Sequence, residues 1–390
     1  MSDIPRRKFI AKLGAAAAAG LLCRDVPALI AKTAGGGSGD FHFLVVGDSL
    51  VSGQGLREED RFYSLTRNWL QEEIVGNGGK VFLKNKSHSG SNVYLNERDR
   101  QALEEAERPL DQFFPSEVNF TFPSIAKQVE VAVREYLGAG VDPNDVGLVM
   151  VSGGLTNITV KGIIDPFDDS DNLRRDIVKY CNGYMSRFLG EAGEAFPNAL
   201  IAVIGYFPMI SPKSSTGMVY NAVLELYDFP GPMKPLMNNV FTKQFFKILH
   251  KGMTKRSRIW AEGSDRELKN AVAAHNERAG REQALFVKSP IDESNCFGTK
   301  NSLLWKMGKK GRSEDDLYDL RTEVCDEAID SVKDIKLDFG KRFCELAGLG
   351  HPNPEGSRAY AESIKASLRP LLAEDSRDVS SSRLARRFQI

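Results

Sequence analysis

The chain has 390 residues, 42% of them hydrophobic, and its 52 Lys and Arg balance 52 Asp and Glu. That is enough apolar material for a large core, while the balanced charge excludes a polyelectrolyte that gathers nucleic acid by net charge. The length allows two or three domains, or one large α/β unit with insertions.

In chain order, Pro5-Arg6-Arg7-Lys8-Phe9-Ile10 comes first, followed by an uncharged Ala- and Gly-rich run over 13–23. The run is too short to cross a bilayer, and its basic front is that of an export signal. It resembles a twin-arginine signal over residues 1–34, and a Gly-rich spacer follows over 35–40. The resemblance implies the twin-arginine export machinery as a partner and a place in the periplasm or outside the cell. Leu22 before Cys23 is not the small residue that a lipid anchor needs. Beyond the leader, Cys181, Cys296, Cys325 and Cys344 remain, and an oxidising compartment would permit disulfides among them in three full pairings. Cys181 falls in line with Leu173, Ile177 and Met185 on one helical stripe and reads as a buried thiol. If a bridge forms, Cys325 to Cys344 is the favoured pair.

Phe43-Leu44-Val45-Val46 runs straight into Gly47-Asp48-Ser49. A buried parallel strand breaking into a tight turn has this form, and the turn puts Ser49 at the carboxyl edge of the sheet, where open α/β sheets bind ligands. A first crossover helix is expected over 62–74, a short strand over 80–83, then a glycine-bearing loop, Ser87-His88-Ser89-Gly90-Ser91. Ile125, Val129, Val133 and Leu137 stand at four-residue spacing and predict an amphipathic helix over 124–137. A buried strand over 147–151 then leads into Ser152-Gly153-Gly154-Leu155-Thr156-Asn157. Asp171 is a candidate cap for a long helix over 172–189, and a further strand covers 200–204. This alternation argues for a parallel sheet with helices on both faces.

The alternation is abandoned from about 212 to 263, which reads as a cap-like insertion. Its basic segment carries Lys243, Lys247, Lys251 and Lys255 one turn apart beside Phe241, Phe245, Leu249 and Met253. A solvated helix packed on the domain explains this pattern, and so does a cap that meets anionic lipid or an acidic polymer. Ser264-Asp265-Arg266-Glu267 reads as a capping box opening a new helix on which His275 is a core histidine. A strand over 285–287 follows. Asn353 and Pro354 are suited to start a terminal helix and so to fix the loop that holds His351. The polar stretch 373–390 is expected to be disordered.

Gly47-Asp48-Ser49-Leu50, the two glycine-bearing loops and His351-Pro352-Asn353-Pro354-Glu355-Gly356 occur in the order of four blocks that this chain shares with the GDSL, or SGNH, hydrolases, which it resembles over 43–356. The resemblance implies a three-layer α/β/α sandwich with a mostly parallel, flavodoxin-like sheet over 41–372, and a serine esterase or lipase without metal or cofactor. It implies Ser49 as nucleophile, His351 as general base, and an oxyanion hole from the Ser49 and Gly90 backbone N–H groups and the Asn157 amide, with Thr156 as the fallback. The sequence departs from the family in its third block, and Gly348 stands where an acid three residues before the histidine is usual. A backbone carbonyl or an acid such as Glu345 could then orient His351. The Met- and Phe-rich insertion leans toward acyl chains or lipids, with sugar acetates as the closest alternative. An acyltransferase would use the same residues, and a catalytically impaired binding module would keep the fold. Other catalytic signatures, and any sign of base readout on nucleic acid, are absent from the sequence.

Overall fold

The computed structural model describes residues 39–226, 240–335 and 340–387, with side chains over all of these except 240–245 and 373–387. Strand β1 (Phe41–Gly47) breaks into the one-turn helix α1 (Ser49–Ser52), and α2 (Phe62–Trp69) continues through a π turn at Leu70–Val75. β2 (Val81–Asn85), α3 (Glu97–Glu105), α4 (Ile125–Gly138) and β3 (Val146–Ser152) follow. Next come α5 (Leu155–Ile164), α6 (Ser170–Ile177), a π stretch at Val178–Tyr184, α7 (Met185–Ala195), β4 (Leu200–Ile204) and α8 (Thr216–Leu226). The chain ends with α9 (Val240–Ala279), β5 (Ala284–Val287), α10 (Tyr318–Ser331), α11 (Lys341–Glu345) and α12 (Pro354–Arg387).

The five strands form one parallel sheet in the order β2-β1-β3-β4-β5. β3 and β4 are buried along their whole length, as parallel strands covered on both faces must be. α7 packs against both α4 and α9, α4 lies on β1 and α9 on β5, while α2 and α12 pair on the other side. The result is the three-layer α/β/α sandwich. A second, smaller cluster joins Leu103, Phe120 and Phe122 to Cys325, Val332 and Cys344 beneath α3 and α10. Cys325 and Cys344 are disulfide-bonded, and Cys181 and Cys296 are free and buried.

Several elements differ from their sequence reading. α4 buries Ile125, Gln128, Val129, Ala132 and Tyr136, while Leu137 is 60% exposed. An α-helix turns about 100° per residue, so positions repeating every four drift by about 40° each time and Leu137 leaves the buried face. Asp169, not Asp171, caps α6, accepting from the Asp171 N–H. Ser264 does not open a helix: α9 runs through it, and its hydroxyl donates to the Ala261 carbonyl. Trp260, Ser264, Leu268, Ala271 and His275 form one unbroken buried stripe, so continuous packing overrides the local capping signal. The supposed end of the insertion near 263 therefore falls inside a helix. At the C-terminus the backbone stays helical to Arg387 through a stretch free of Gly and Pro after Pro370. The leader at 1–34 and the Pro- and Met-rich part of the insertion at 227–239 lie outside the described residues.

Candidate functional site at the carboxyl edge of the sheet

Asp48 caps α1, accepting from the Leu50 N–H, and this turns the end of β1 sharply so that Ser49 heads the short helix. Ser152 at the end of β3 donates to the same carboxylate at 2.6 Å, and the Tyr206 hydroxyl donates to its other oxygen. Burial raises the Asp48 pKa, and the bonds from Ser152 and Tyr206 partly offset it. Gln128 on α4 closes the turn from behind. It accepts from the Gly47 N–H at 2.7 Å and donates to the Gly47 carbonyl and to Ser91 Oγ.

His351 comes from the other end of the chain, in a loop held on both sides. Its carbonyl accepts from the Trp305 N–H at 2.8 Å, the Asn353 N–H reaches the Leu303 carbonyl, and Asn353 Oδ1 takes the Gly356 N–H at the start of α12. The imidazole Nε2 thereby stands 2.8 Å from Ser49 Oγ. The two residues expected to act together are therefore in hydrogen-bond contact. The His351 ring keeps part of its surface open to the cavity, while its Nδ1 is enclosed beside the Ala347 and Leu349 backbone, the place of the expected orienting carbonyl, without a well-formed hydrogen bond to either. Loss of water drives the pKa down to about 4, helped by the positive charge of Arg321 and opposed by the Ala347 and Leu349 backbone and by Asp315. The ring is therefore neutral at pH 7. Nε2 can then accept a proton from Ser49 when Nδ1 carries the ring hydrogen.

Gly90 lies on the same cavity as Ser49 and His351, at a φ of +83°, with Phe120 and Asn119 so close that an added Cβ would lie 2.5 Å from Asn119 Oδ1. Thr156 also lines this cavity, but its hydroxyl donates to the Ser91 carbonyl at 2.6 Å. Asn157 does not line it; Oδ1 accepts from the Val93 N–H at 3.0 Å, and no described bond engages Nδ2. Glu345, the alternative acid, turns away: its carboxylate meets Arg342 at 2.9 Å and its carbonyl accepts from Arg321. Among the described residues no cluster of acidic, His and Cys side chains is arranged to hold a metal.

The cavity above the Ser49–His351 pair measures about 310 Å³. Its floor is polar at Asp48, Ser49 and His351, and its walls are apolar, with Val219, Val223 and Leu226 of α8 opposite Leu155, Val160 and Ile164 of α5. α8 was not foreseen as an element, yet it supplies one wall from inside the insertion. Asp48, Tyr206 and Gln128 were given no role by sequence reasoning. A capping signal marks Asp48, because an acidic residue directly before a helix start is a favoured N-cap. For Gln128 and Tyr206 no local signal exists, since each acts on a turn far away in sequence.

No known protein-family model matches the sequence, and no curated protein does. Among solved structures, the fold is similar to the phospholipase A1 of Streptomyces albidoflavus, at 11% identity over 84% of this chain and 99% of that one, with a TM-score of 0.40. It is similar to the extracellular lipase of Streptomyces rimosus, at 9% identity over 84% and 99%, with a TM-score of 0.40. It is also similar to a family 3 carbohydrate esterase of Clostridium thermocellum, at 11% identity over 86% and 98%, with a TM-score of 0.36.

Proposed function

We propose that this protein is a serine esterase or lipase that cleaves carboxylic esters through an acyl-serine intermediate. The observation that carries the reading is the 2.8 Å contact between Ser49 Oγ and a neutral His351 on the floor of an apolar cavity. A serine hydroxyl is a weak nucleophile unless a base stands within reach. In the proposed reaction Ser49 Oγ bonds to the ester carbonyl carbon as its proton passes to His351 Nε2. The imidazolium returns that proton to the departing alkoxide, and water then repeats the sequence to free the acid. The Ser49 and Gly90 backbone N–H groups and the Asn157 amide are the proposed donors to the oxyanion.

The apolar walls favour an acyl chain over an acetylated sugar, whose hydroxyls would find few partners there. The exposed Lys247 and Lys251 on α9 support a second part of the proposal, that the protein works against an anionic surface.

The test is hydrolysis of aromatic esters of increasing acyl length by the wild type and Ser49→Ala. The expected result is loss of turnover by at least about 10³-fold in the variant, with longer acyl chains preferred to acetate. Equal rates in the two proteins would overturn the reading in favour of a binding module. A serine-dependent rate that rises with added alcohol would identify an acyltransferase, and a preference for acetylated sugars would identify a carbohydrate esterase.

A further inference from the structure

Gly348, in the position where an acid would be usual, has no room for a side chain. A Cβ there would lie 2.7 Å from Asp315 Oδ2 and 3.0 Å from Arg321 Nη2. The volume that a carboxylate at 348 would enter already holds another carboxylate, delivered from a different segment. Asp315 and Arg321 are both fully buried and bonded at 2.6 Å, and Asp315 Oδ1 also takes the Leu317 N–H.

This pair belongs to a network that joins the two halves of the site. Arg321 Nη1 bonds Glu117 Oε2 at 2.9 Å, and the same Glu117 oxygen accepts from Gln54 Nε2 and from the Gly55 N–H, just beyond the helix that Ser49 heads. Arg61 meets the other Glu117 oxygen at 3.3 Å. On the other side Arg321 Nε reaches the Glu345 carbonyl, in the segment leading to His351. Two buried cations and two buried anions balance, and such a cluster is weak evidence for stability by itself because of its desolvation cost. What singles out Asp315 is that its carboxylate occupies the volume a side chain at Gly348 would enter, three residues before His351, whose enclosed Nδ1 is engaged by no described hydrogen bond and whose ring feels the Asp315 charge.

Resting on the reading of Ser49 as nucleophile and His351 as base, we infer that Asp315 is the acid of the site, a positioning residue whose carboxylate, standing where a side chain at 348 would, stabilises the His351 imidazolium. Arg321 holds the carboxylate in place and moderates its charge. The charged groups facing the ring are these two, with Glu117 and Arg61 behind them and Asp48 across the cavity floor. The negative charge of Asp315 favours the protonated ring and that of Arg321 disfavours it.

The experiment compares Asp315→Asn, Asp315→Ala and Asp315→Ala/Gly348→Asp in the full chain, with turnover normalised to the Ser49 that an organophosphonate ester can label. Asp315→Asn is expected to lower kcat by about 10²–10⁴-fold with little change in KM. The acid limb of kcat/KM should move to lower pH than in the wild type. The double variant returns a carboxylate to the same volume and is expected to regain at least ten-fold over Asp315→Ala. A normalised kcat in Asp315→Asn equal to the wild type, with the acid limb unmoved, would overturn the inference and leave Asp315 as a structural ion-pair member. So would a double variant that labels normally but regains nothing. If Asp315→Asn does not fold, the double variant against Asp315→Ala decides alone. Failure of the underlying reading looks different: the wild type itself would resist labelling at Ser49 and match Ser49→Ala.

Discussion

Thr156 and Asn157 are neighbours at the start of α5, yet their polar atoms are committed differently. The Thr156 hydroxyl proton is spent on the Ser91 carbonyl, which ties the second loop to the third. Asn157 instead has its oxygen fixed by the Val93 N–H, which sets the amide plane, and although the residue does not line the cavity, no described bond engages its nitrogen, the proposed oxyanion donor. Removing one preorganised oxyanion donor typically costs about 10²–10³ in turnover. Asn157→Ala is therefore expected to lower kcat by about that factor at nearly constant KM. Thr156→Val should instead lower stability by about 1 kcal/mol, the net worth of one hydrogen bond, and leave kcat within a few-fold. Steady-state kinetics with matched denaturation curves check both, and the reverse pattern would move the donor to Thr156. Ser49 and His351 were legible because each stands in a local frame, a strand breaking into a turn and a loop stapled to a helix start. Asp315, Arg321 and Glu117 were not, because their meaning arises only when segments far apart in sequence meet.

At the level of elements, strands announced themselves better than helix faces did. Short apolar runs bounded by Gly, Asp or Ser located all five strands to within a few residues, since a buried parallel strand needs little beyond burial. Helix faces depend on phase, which is why the four-residue stripe on α4 misled, whereas the capping box inside α9 misled because continuous packing carries the helix through it. α4 shows the consequence: the polar Gln128, off the expected apolar stripe, is fully buried and clamps the Gly47 turn and the Ser91 loop at once. Gln128→Leu keeps the volume but leaves the buried Gly47 N–H without an acceptor. A buried donor left unsatisfied costs about 1–3 kcal/mol, and the denaturation midpoint should fall accordingly. Turnover should fall as well, because the Ser49 turn and the Ser91 loop lose their common anchor. A variant as stable and as active as the wild type would show that the clamp positions nothing.

For the whole molecule, the question is which face meets the substrate. Arg256, part of the basic run in the sequence, is buried and donates to the Gly162 and Ile163 carbonyls at the end of α5 while pairing with Asp168. It is therefore a helix-end anchor and contributes nothing to an outer surface. Lys247, Lys251 and Lys255 remain exposed one turn apart on α9, beside Ile248, which is 70% exposed. Phe167, 76% exposed, follows Pro166, which packs against Gly252 on the same helix. Protruding apolar side chains set among lysines are what a helix lying at an anionic interface presents, and none of the described helices is long and apolar enough to cross a bilayer. The packed side of the same helix carries the buried Phe246, edge-on against Tyr220 of α8 at 4.6 Å, so α9 adjoins the helix that walls the cavity. Each lysine near an anionic membrane contributes roughly 1 kcal/mol, screened by salt within about 10 Å. Changing Lys247 and Lys251 to Glu, together with Lys243, is expected to weaken binding to phosphatidylserine vesicles by at least about 10²-fold at low salt. Binding to neutral vesicles and hydrolysis of a soluble short-chain ester should stay as they are. If binding to anionic vesicles is unchanged, the lysines are only the solvated side of a packed helix, and the ester reaches Ser49 from solution without a surface to hold it.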